Sequence, residues 1–243
     1  MIVCDFHVHL GKSRDGTSLD SAELLRIMRS AGVKSAVIFP IDEPDVGLSY
    51  EPQNKKILKE AKRHPELIPF CRLNPRHRKA ALAELKNCYH AGFRGLKLHP
   101  RSEKISPDSL NDIFGLVSDM GWPVVLHTSH EKNCHPMSWE KSFKQFKKIR
   151  FIFAHGGKDS YQEAIEVAAR NPNTFLDTST LSYNRTKTIL KQLGPERILF
   201  ASDQPYSHIA LEMKKFELIC NRRELAIIFK ENAKTFFPDI FNA

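Results

Sequence analysis

Several residues that can hold a metal ion or move a proton stand where apolar runs of this chain end: His7, His9, His99, His127, His155 and Asp203. His7 and His9 are two apart in Asp5-Phe6-His7-Val8-His9. On a strand, residues two apart share a face, with Cβ atoms about 6.5–7 Å apart. Their imidazole nitrogens can then converge on one ion, with bonds near about 2.0–2.1 Å. An isolated His-x-His does not define a site, so partners must come from elsewhere in the chain. Asp203 closes an apolar run that would otherwise bury an unpaired carboxylate, and a metal partner removes that cost. His127 follows an apolar run and precedes Thr128-Ser129. His155 precedes Gly156-Gly157, which leave room beside it for a ligand or a metal.

Residues so far apart meet only if the fold collects the ends of many strands. Strand-length apolar runs cover 2–9, 35–40, 67–74, 95–99, 123–127, 151–155, 174–178 and 198–203. Several are rich in Val, Ile, Leu and Phe without strict alternation, as expected of parallel strands buried on both faces. Amphipathic helical patterns fill the gaps over 19–31, 53–64, 78–91, 109–120, 161–170 and 186–193. Gly32, Gly92, Gly121 and Gly194 sit where C-caps belong. Asp20, Asp108 and Asp159 sit at N-caps or first turns.

Eight strand–helix units with right-handed crossovers close into an α/β (β/α)8 TIM barrel. It is expected to be one domain over 1–243, with an extra C-terminal helix from Arg223 to Ala243 packed on the outside. The rival is an open doubly wound sheet, but no Gly-x-Gly-x-x-Gly turn follows any strand.

Barrel enzymes carry their active sites at the C-terminal ends of the strands. That mouth would gather His7 and His9 from strand one and Lys97 and His99 from strand four. It would add His127 from strand five, His155 from strand six and Asp203 from strand eight. Arg72 ends strand three with Asn74; its guanidinium fork suits a substrate carboxylate, and a salt bridge at the rim is the alternative. Lys97 could bind a substrate carboxylate or pair with a buried acid. His99 could contact substrate, bind a second metal or simply line the rim. Asp5 could accept from an imidazole N–H or serve the barrel floor, and Asp177 is read as bonded to the barrel wall. His130, Glu131, Cys134 and His135 lie together after strand five. That stretch and 41–50 are the longest connections at the mouth, and therefore candidate lids.

The composition bounds the partners. The chain has 243 residues, 41% hydrophobic and 27% charged, which suits a soluble domain with a substantial core. No apolar run is long enough to span a bilayer, and the start has no signal-peptide pattern. Five scattered cysteines without Cys-x-x-Cys point to reduced thiols and a cytoplasmic protein. The net charge of +9 favours an anionic substrate or a weak affinity for nucleic acid. The basic stretch from Lys141 to Arg150 alternates with Phe143, Phe146 and Ile149 at helical spacing and reads as a solvated helix face. Neither membrane nor nucleic acid is an expected partner, and a homodimer is left open.

Five segments occur in order: Asp5-Phe6-His7-Val8-His9, Gly95-Leu96-Lys97-Leu98-His99-Pro100, Val125-Leu126-His127, Phe153-Ala154-His155-Gly156-Gly157 and Phe200-Ala201-Ser202-Asp203. The set resembles the amidohydrolase superfamily over essentially the whole chain. It is most similar to the amidohydrolase-related branch, which includes aminocarboxymuconate-semialdehyde decarboxylase-like enzymes. The tail Glu231-Asn232-Ala233-Lys234-Thr235-Phe236-Phe237 is similar to that branch's closing helix. The resemblance implies that His7, His9, His127 and Asp203 are metal ligands. It implies that Asp203 takes the proton of an activated water, and that His155 orients water or substrate and acts as acid or base. In some superfamily members a carboxylated lysine of strand four bridges two metals, and Lys97 has that position.

Three His and one Asp suit zinc, manganese, iron or cobalt, and ligand type alone does not choose among them; zinc is the first expectation, at one or two ions per chain. The leading expectation is hydrolysis of a small, carboxylate-bearing amide, lactone or ester. Non-oxidative decarboxylation of an unsaturated or aromatic acid is the alternative. A metal-dependent deoxyribonuclease comes next, although no aromatic-interleaved basic stripe supports it. A catalytically silent barrel is a further reading, against which the full ligand set speaks.

Overall fold

A computed structural model describes residues 3–43 and 45–241. Ile2, Asn242 and Ala243, which end the first and last expected elements, lie outside the described residues, as does Pro44 of the stretch 41–50.

The barrel strands are β1 (Cys4–Lys12), β2 (Ser35–Pro40), β3 (Leu67–Pro69 and Cys71–Arg72), β4 (Leu96–Leu98), β5 (Val124–His127), β6 (Phe151–Ala154), β7 (Thr174–Asp177) and β8 (Ile198–Leu199). Each neighbouring pair from β1 to β8 is parallel, with β3 pairing to β2 through its first half and to β4 through its second. The ring closes where Phe6 N donates to Phe200 O and His9 N to Gln204 O, while Asp203 N donates to His7 O. A parallel bridge joins Val8 to Gln204. The short strand Ser18–Leu19 folds back antiparallel on the end of β1.

Helices follow the strands: α1 (Ser21–Ala31), α2 (Glu51–Arg63), α3 (Arg78–Ala91), α4 (Asn111–Met120), α5 (Glu140–Gln145), α6 (Tyr161–Arg170), α7 (Tyr183–Leu193) and α8 (Ile209–Ile219). Their limits have local causes. Asp20 accepts the amide of Glu23 and caps α1. Gly32, Gly92 and Gly121 end α1, α3 and α4 in the left-handed region that only glycine enters freely. No helix among the described residues is long and apolar enough to cross a membrane.

Two apolar layers hold the ring. The larger packs the outer strand faces against the helices, with Val8, Leu10, Ile38, Leu98 and Phe153 among its members. The smaller fills the barrel interior with Cys4, Phe6, Val37, Phe39, Phe70, Val125, Ile152 and Leu199. Ile228 and Phe229 of the C-terminal segment join the outer layer, as expected of a helix on the outside, whereas Phe236 and Phe237 belong to the inner one. The C-terminal segment (Arg222–Ala226, Ile227–Glu231 and Asn232–Phe236) inserts both rings into the barrel floor. Phe237 stacks on Phe6 at 5.6 Å between centroids, and Phe236 meets Phe6 and Phe175 edge-on. An amphipathic pattern shows that one face is buried but not against which layer.

β1 carries a second departure. Its register against β2 jumps between Asp5 and Val8, so that Phe6 and His7 together oppose one residue. This is a β-bulge, which reverses the in–out alternation beyond it. Cys4 and Phe6 face inward below the bulge, and His7 and His9 face inward above it. Asp5 therefore does not share the face of the two histidines, contrary to strict alternation. Its Oδ1 accepts the amides of His7 and Ser202, pinning β1 to the segment after β8.

Candidate metal centre

Above the inner core, the bulged strand presents two imidazoles to Asp203, four residues past the end of β8. Nε2 of His7 and Nε2 of His9 are 3.1 Å apart. Oδ1 of Asp203 lies 3.1 Å from the first and 3.2 Å from the second. Donors held tetrahedrally at about 2.0–2.1 Å from one ion stand roughly 3.3 Å apart, so this triangle has the scale of a metal site. Nδ1 of His7 is 2.7 Å from Oδ2 of Asp177. With Nδ1–H donating there, the Nε2 lone pair points into the triangle. Asp177 is fully occupied: its Oδ1 also accepts the amides of His155 and Ser179 and the Ser179 hydroxyl.

His155 stands beside the triangle, with Nδ1 3.9 Å from Oδ2 of Asp203 and 3.0 Å from Oγ of Ser179. Donor atoms of His7, His155 and Asp203 all lie within 4.8 Å of one another. His127 packs next to them rather than into the triangle. Its ring is edge-on to His155 at 4.9 Å and stacks on His99 at 3.8 Å. His155 and Asp203 both sit just past their strands with φ of 63° and 61°. Non-glycine residues rarely hold such backbone unless the surroundings enforce it, and they concentrate at functional sites.

Burial sets the charge states. It holds His7, His9, His99, His127 and His155 well below the usual histidine range, with nearby cations or imidazoles adding to the effect. The rings are neutral, as metal ligation requires. Burial also raises the Asp203 carboxyl to about 7, while Lys97 and Lys158 pull it down. The Lys97 ammonium is lowered to about 8 by burial, against the pull of Asp203 and Asp177. Three donors in mutual contact, two of them neutral imidazoles, fit a divalent cation of the zinc, manganese, iron or cobalt kind.

Lys97 is completely buried, and its Nζ lies 3.1 Å from Nε2 of His7. Arg72 is buried too, and its guanidinium is held by Oε1 of Glu103 at 3.0 Å and Oδ1 of Asp42 at 3.2 Å. Oδ2 of Asp42 accepts the hydroxyl of Ser102, and Glu103 also accepts the amide of His99. A cavity of about 290 Å³ opens over the donors, lined by His9, Asp42, Arg72, His99, His127, His155, Lys158, Thr180, Asp203 and Tyr206. The Tyr206 hydroxyl donates to Oγ of Ser13, tying the loop after β8 to the end of β1.

The mouth also contains residues that sequence reasoning passed over. Asp42, Glu103, Lys158, Thr180 and Tyr206 lie in loops without strand periodicity, so nothing in their spacing marks them. Asp177, expected to bond to the barrel wall, does so through the His155 amide and also holds the ring of His7. The cluster after β5 behaves otherwise. His130 faces Asp159 at 3.6 Å, His135 accepts the amide of Met137, and Cys134 is buried. These residues form no metal-competent group among the described residues.

No curated protein matches the sequence. An uncharacterized TIM-barrel protein from Bordetella bronchiseptica shares the fold at a TM-score of 0.83, with 18% identity and 99% of each chain covered. A 2,6-dihydroxybenzoate decarboxylase from Rhizobium matches at 0.76, with 15% identity and 98% of each chain covered. A zinc-bound amidohydrolase from Burkholderia multivorans matches at 0.78, with 11% identity over 98% of this chain and 99% of that one. The profile of the amidohydrolase family covers residues 4–238, from the first barrel strand to the floor plug. With that span, and with its ordered strand-end motifs on a closed eight-stranded barrel, the chain belongs to the amidohydrolase family as a metal-dependent enzyme of the amidohydrolase-related branch.

Proposed function

We propose that the protein hydrolyses a small, carboxylate-bearing amide, lactone or ester with the help of one divalent cation, zinc first. The observation that carries this reading is the triangle of His7 Nε2, His9 Nε2 and Asp203 Oδ1 with edges of 3.1–3.2 Å beneath an open cavity. His7, His9 and Asp203 would hold the ion, with His127 approaching from the same mouth. A cation there supplies Lewis acidity toward a carbonyl oxygen and a water alike.

The chain's own groups do the rest. Asp203 keeps Oδ1 in the triangle and turns Oδ2 toward His155, a position from which it can take a proton from water. His155 is neutral and leans on Ser179, so it can pass that proton to a leaving group. Asp177 fixes the His7 tautomer. Lys97 and His99 are proposed to favour an anionic substrate, while Arg72, whose fork Glu103 and Asp42 already hold, is proposed to shape the wall of the site.

Decarboxylation is the second reading. It is favoured by the full-length fold match with a 2,6-dihydroxybenzoate decarboxylase. One assay separates the two. Metal-loaded protein is given a panel of lactones, esters and aromatic acids, and acid release and CO₂ release are followed together. Acid release from a lactone or ester supports hydrolysis. CO₂ release alone transfers the assignment to decarboxylation, and neither activity from protein with stoichiometric metal overturns both.

A further inference from the structure

Three cations stand at the mouth, and their surroundings differ. Arg72 is neutralised by Glu103 and Asp42. Lys97 is sealed beneath the donors against His7. Lys158 lines the cavity, is half-buried, and has no carboxylate within ion-pair distance among the described residues. The acid beside it in sequence is already engaged: Asp159 lies 2.9 Å from Arg185 and 3.6 Å from His130.

The backbone holds Lys158 in place. Its φ of 50° and ψ of −114° are far from any ordinary well for a side-chain-bearing residue. Two contacts clamp that geometry: Gly157 N donates to Oγ1 of Thr128, and Arg185 donates to the Lys158 carbonyl. Strained backbone at a cavity wall is a mark of functional positioning. The Lys158 side chain lines the same cavity as His9, His127, His155 and Asp203.

We propose that Lys158 is the specificity-determining residue of this site, receiving the carboxylate of a small monoanionic substrate. This rests on the proposed reading of the site as one for carboxylate-bearing molecules. The charge count selects a monoanion. Lys158 is the single unpaired cation of the lining among the described residues, because Asp42 and Glu103 already hold Arg72 and Asp203 is turned to the donor triangle, so one carboxylate finds one free cation and a second finds none. A monocarboxylate held at Lys158 puts the rest of a small molecule over the donor triangle.

The test uses zinc-loaded full-length protein, with wild type, Lys158→Met and Lys158→Arg compared by isothermal titration calorimetry. The probes are acetate, 2-furoate and benzoate, each beside its primary amide. Lys158 contacts none of the triangle atoms, so both variants should keep their zinc, which checks folding. The expected result is a carboxylate preference in wild type that falls by about tenfold or more in Lys158→Met, with amide binding unchanged. Lys158→Arg should retain the preference within about threefold. A wild-type preference that survives in Lys158→Met overturns the role of Lys158 and leaves the parent reading standing. No preference for acid over amide in wild type, anywhere in the series, overturns the carboxylate reading itself.

Discussion

Oδ2 of Asp177 lies 2.7 Å from Nδ1 of His7, across 170 residues of sequence, and so decides which imidazole nitrogen faces His9 and Asp203. Asp177 uses both oxygens as acceptors, so an amide in its place must set an N–H against a donor. Asp177→Asn should weaken zinc binding by about 10–100-fold, the usual cost of losing a carboxylate behind a metal-bound histidine. Competition against a coloured chelator measures it. An unchanged affinity would show that the His7 tautomer is set by something else.

Removing a corner of the triangle should act more strongly. His7→Ala, His9→Ala and Asp203→Asn should each purify without stoichiometric transition metal, while wild type carries at least one ion per chain. Elemental analysis reads the metal and circular dichroism reads the fold. Full occupancy in all three variants would sink the metal assignment.

The floor plug predicts a purely structural effect. Phe237 is buried between Phe6 and Phe70, with centroids at 5.6 and 6.1 Å. Phe237→Ala should cost about 3–5 kcal/mol in urea denaturation, within the range for a buried aromatic truncated to alanine. A loss below about 1 kcal/mol would place this ring outside the core.

Gly95 makes a complementary case at the start of β4. A Cβ there would stand 2.4 Å from the ring of Phe70, which fills the barrel where β3 breaks. Gly95→Ala should destabilise by about 1–3 kcal/mol through overpacking. The double variant Gly95→Ala with Phe70→Leu should recover part of that loss, and strict additivity of the two changes would contradict the clash.

Asp5 gives a pH signature. Burial lifts its carboxyl to about 7, although two backbone amides favour the charged form, and Oδ2 has no hydrogen-bond partner. A carboxyl whose folded pKa is raised contributes most below its unfolded value near about 3.9. That contribution disappears as pH rises through about 7. In chelator-treated protein, wild type should therefore lose stability relative to Asp5→Asn between about pH 4 and 7.5. The slope across that window should approach roughly 1.4 kcal/mol for each step of one in pH, because the unfolded chain has released a proton that the folded chain still holds. Parallel stability curves over that range would mean that Asp5 titrates normally.

The barrel was readable because buried parallel strands and amphipathic helices have different periods, and the runs at 35–40, 78–91 and 161–170 coincide with β2, α3 and α6. The convergence of His7, His9 and Asp203 followed from placing each at a strand end. The bulge at Phe6–His7 was hidden because a single extra residue leaves no mark on hydrophobicity. The inward turn of Phe236 and Phe237 was hidden for a related reason: a buried stripe does not name its partner. Lys158 and Glu103 escaped because loop residues are placed by backbone conformation and by distant contacts. Asp177 was visible as a strand-end acid, but only the closed ring brings it to His7.

The seam between β1 and the segment after β8 has a consequence for how the protein matures. Asp5 and Ser202 meet across 197 residues, and His7 and Asp203 join the same seam. A ribosome delivers His7 and His9 early and Asp203 late, so a growing chain can offer an ion two imidazoles long before the carboxylate arrives. Contacts this distant in sequence form slowly and late. On the proposed reading, tight metal capture would be the closing event of assembly, and an ion retained against a chelator would report that the ring has shut.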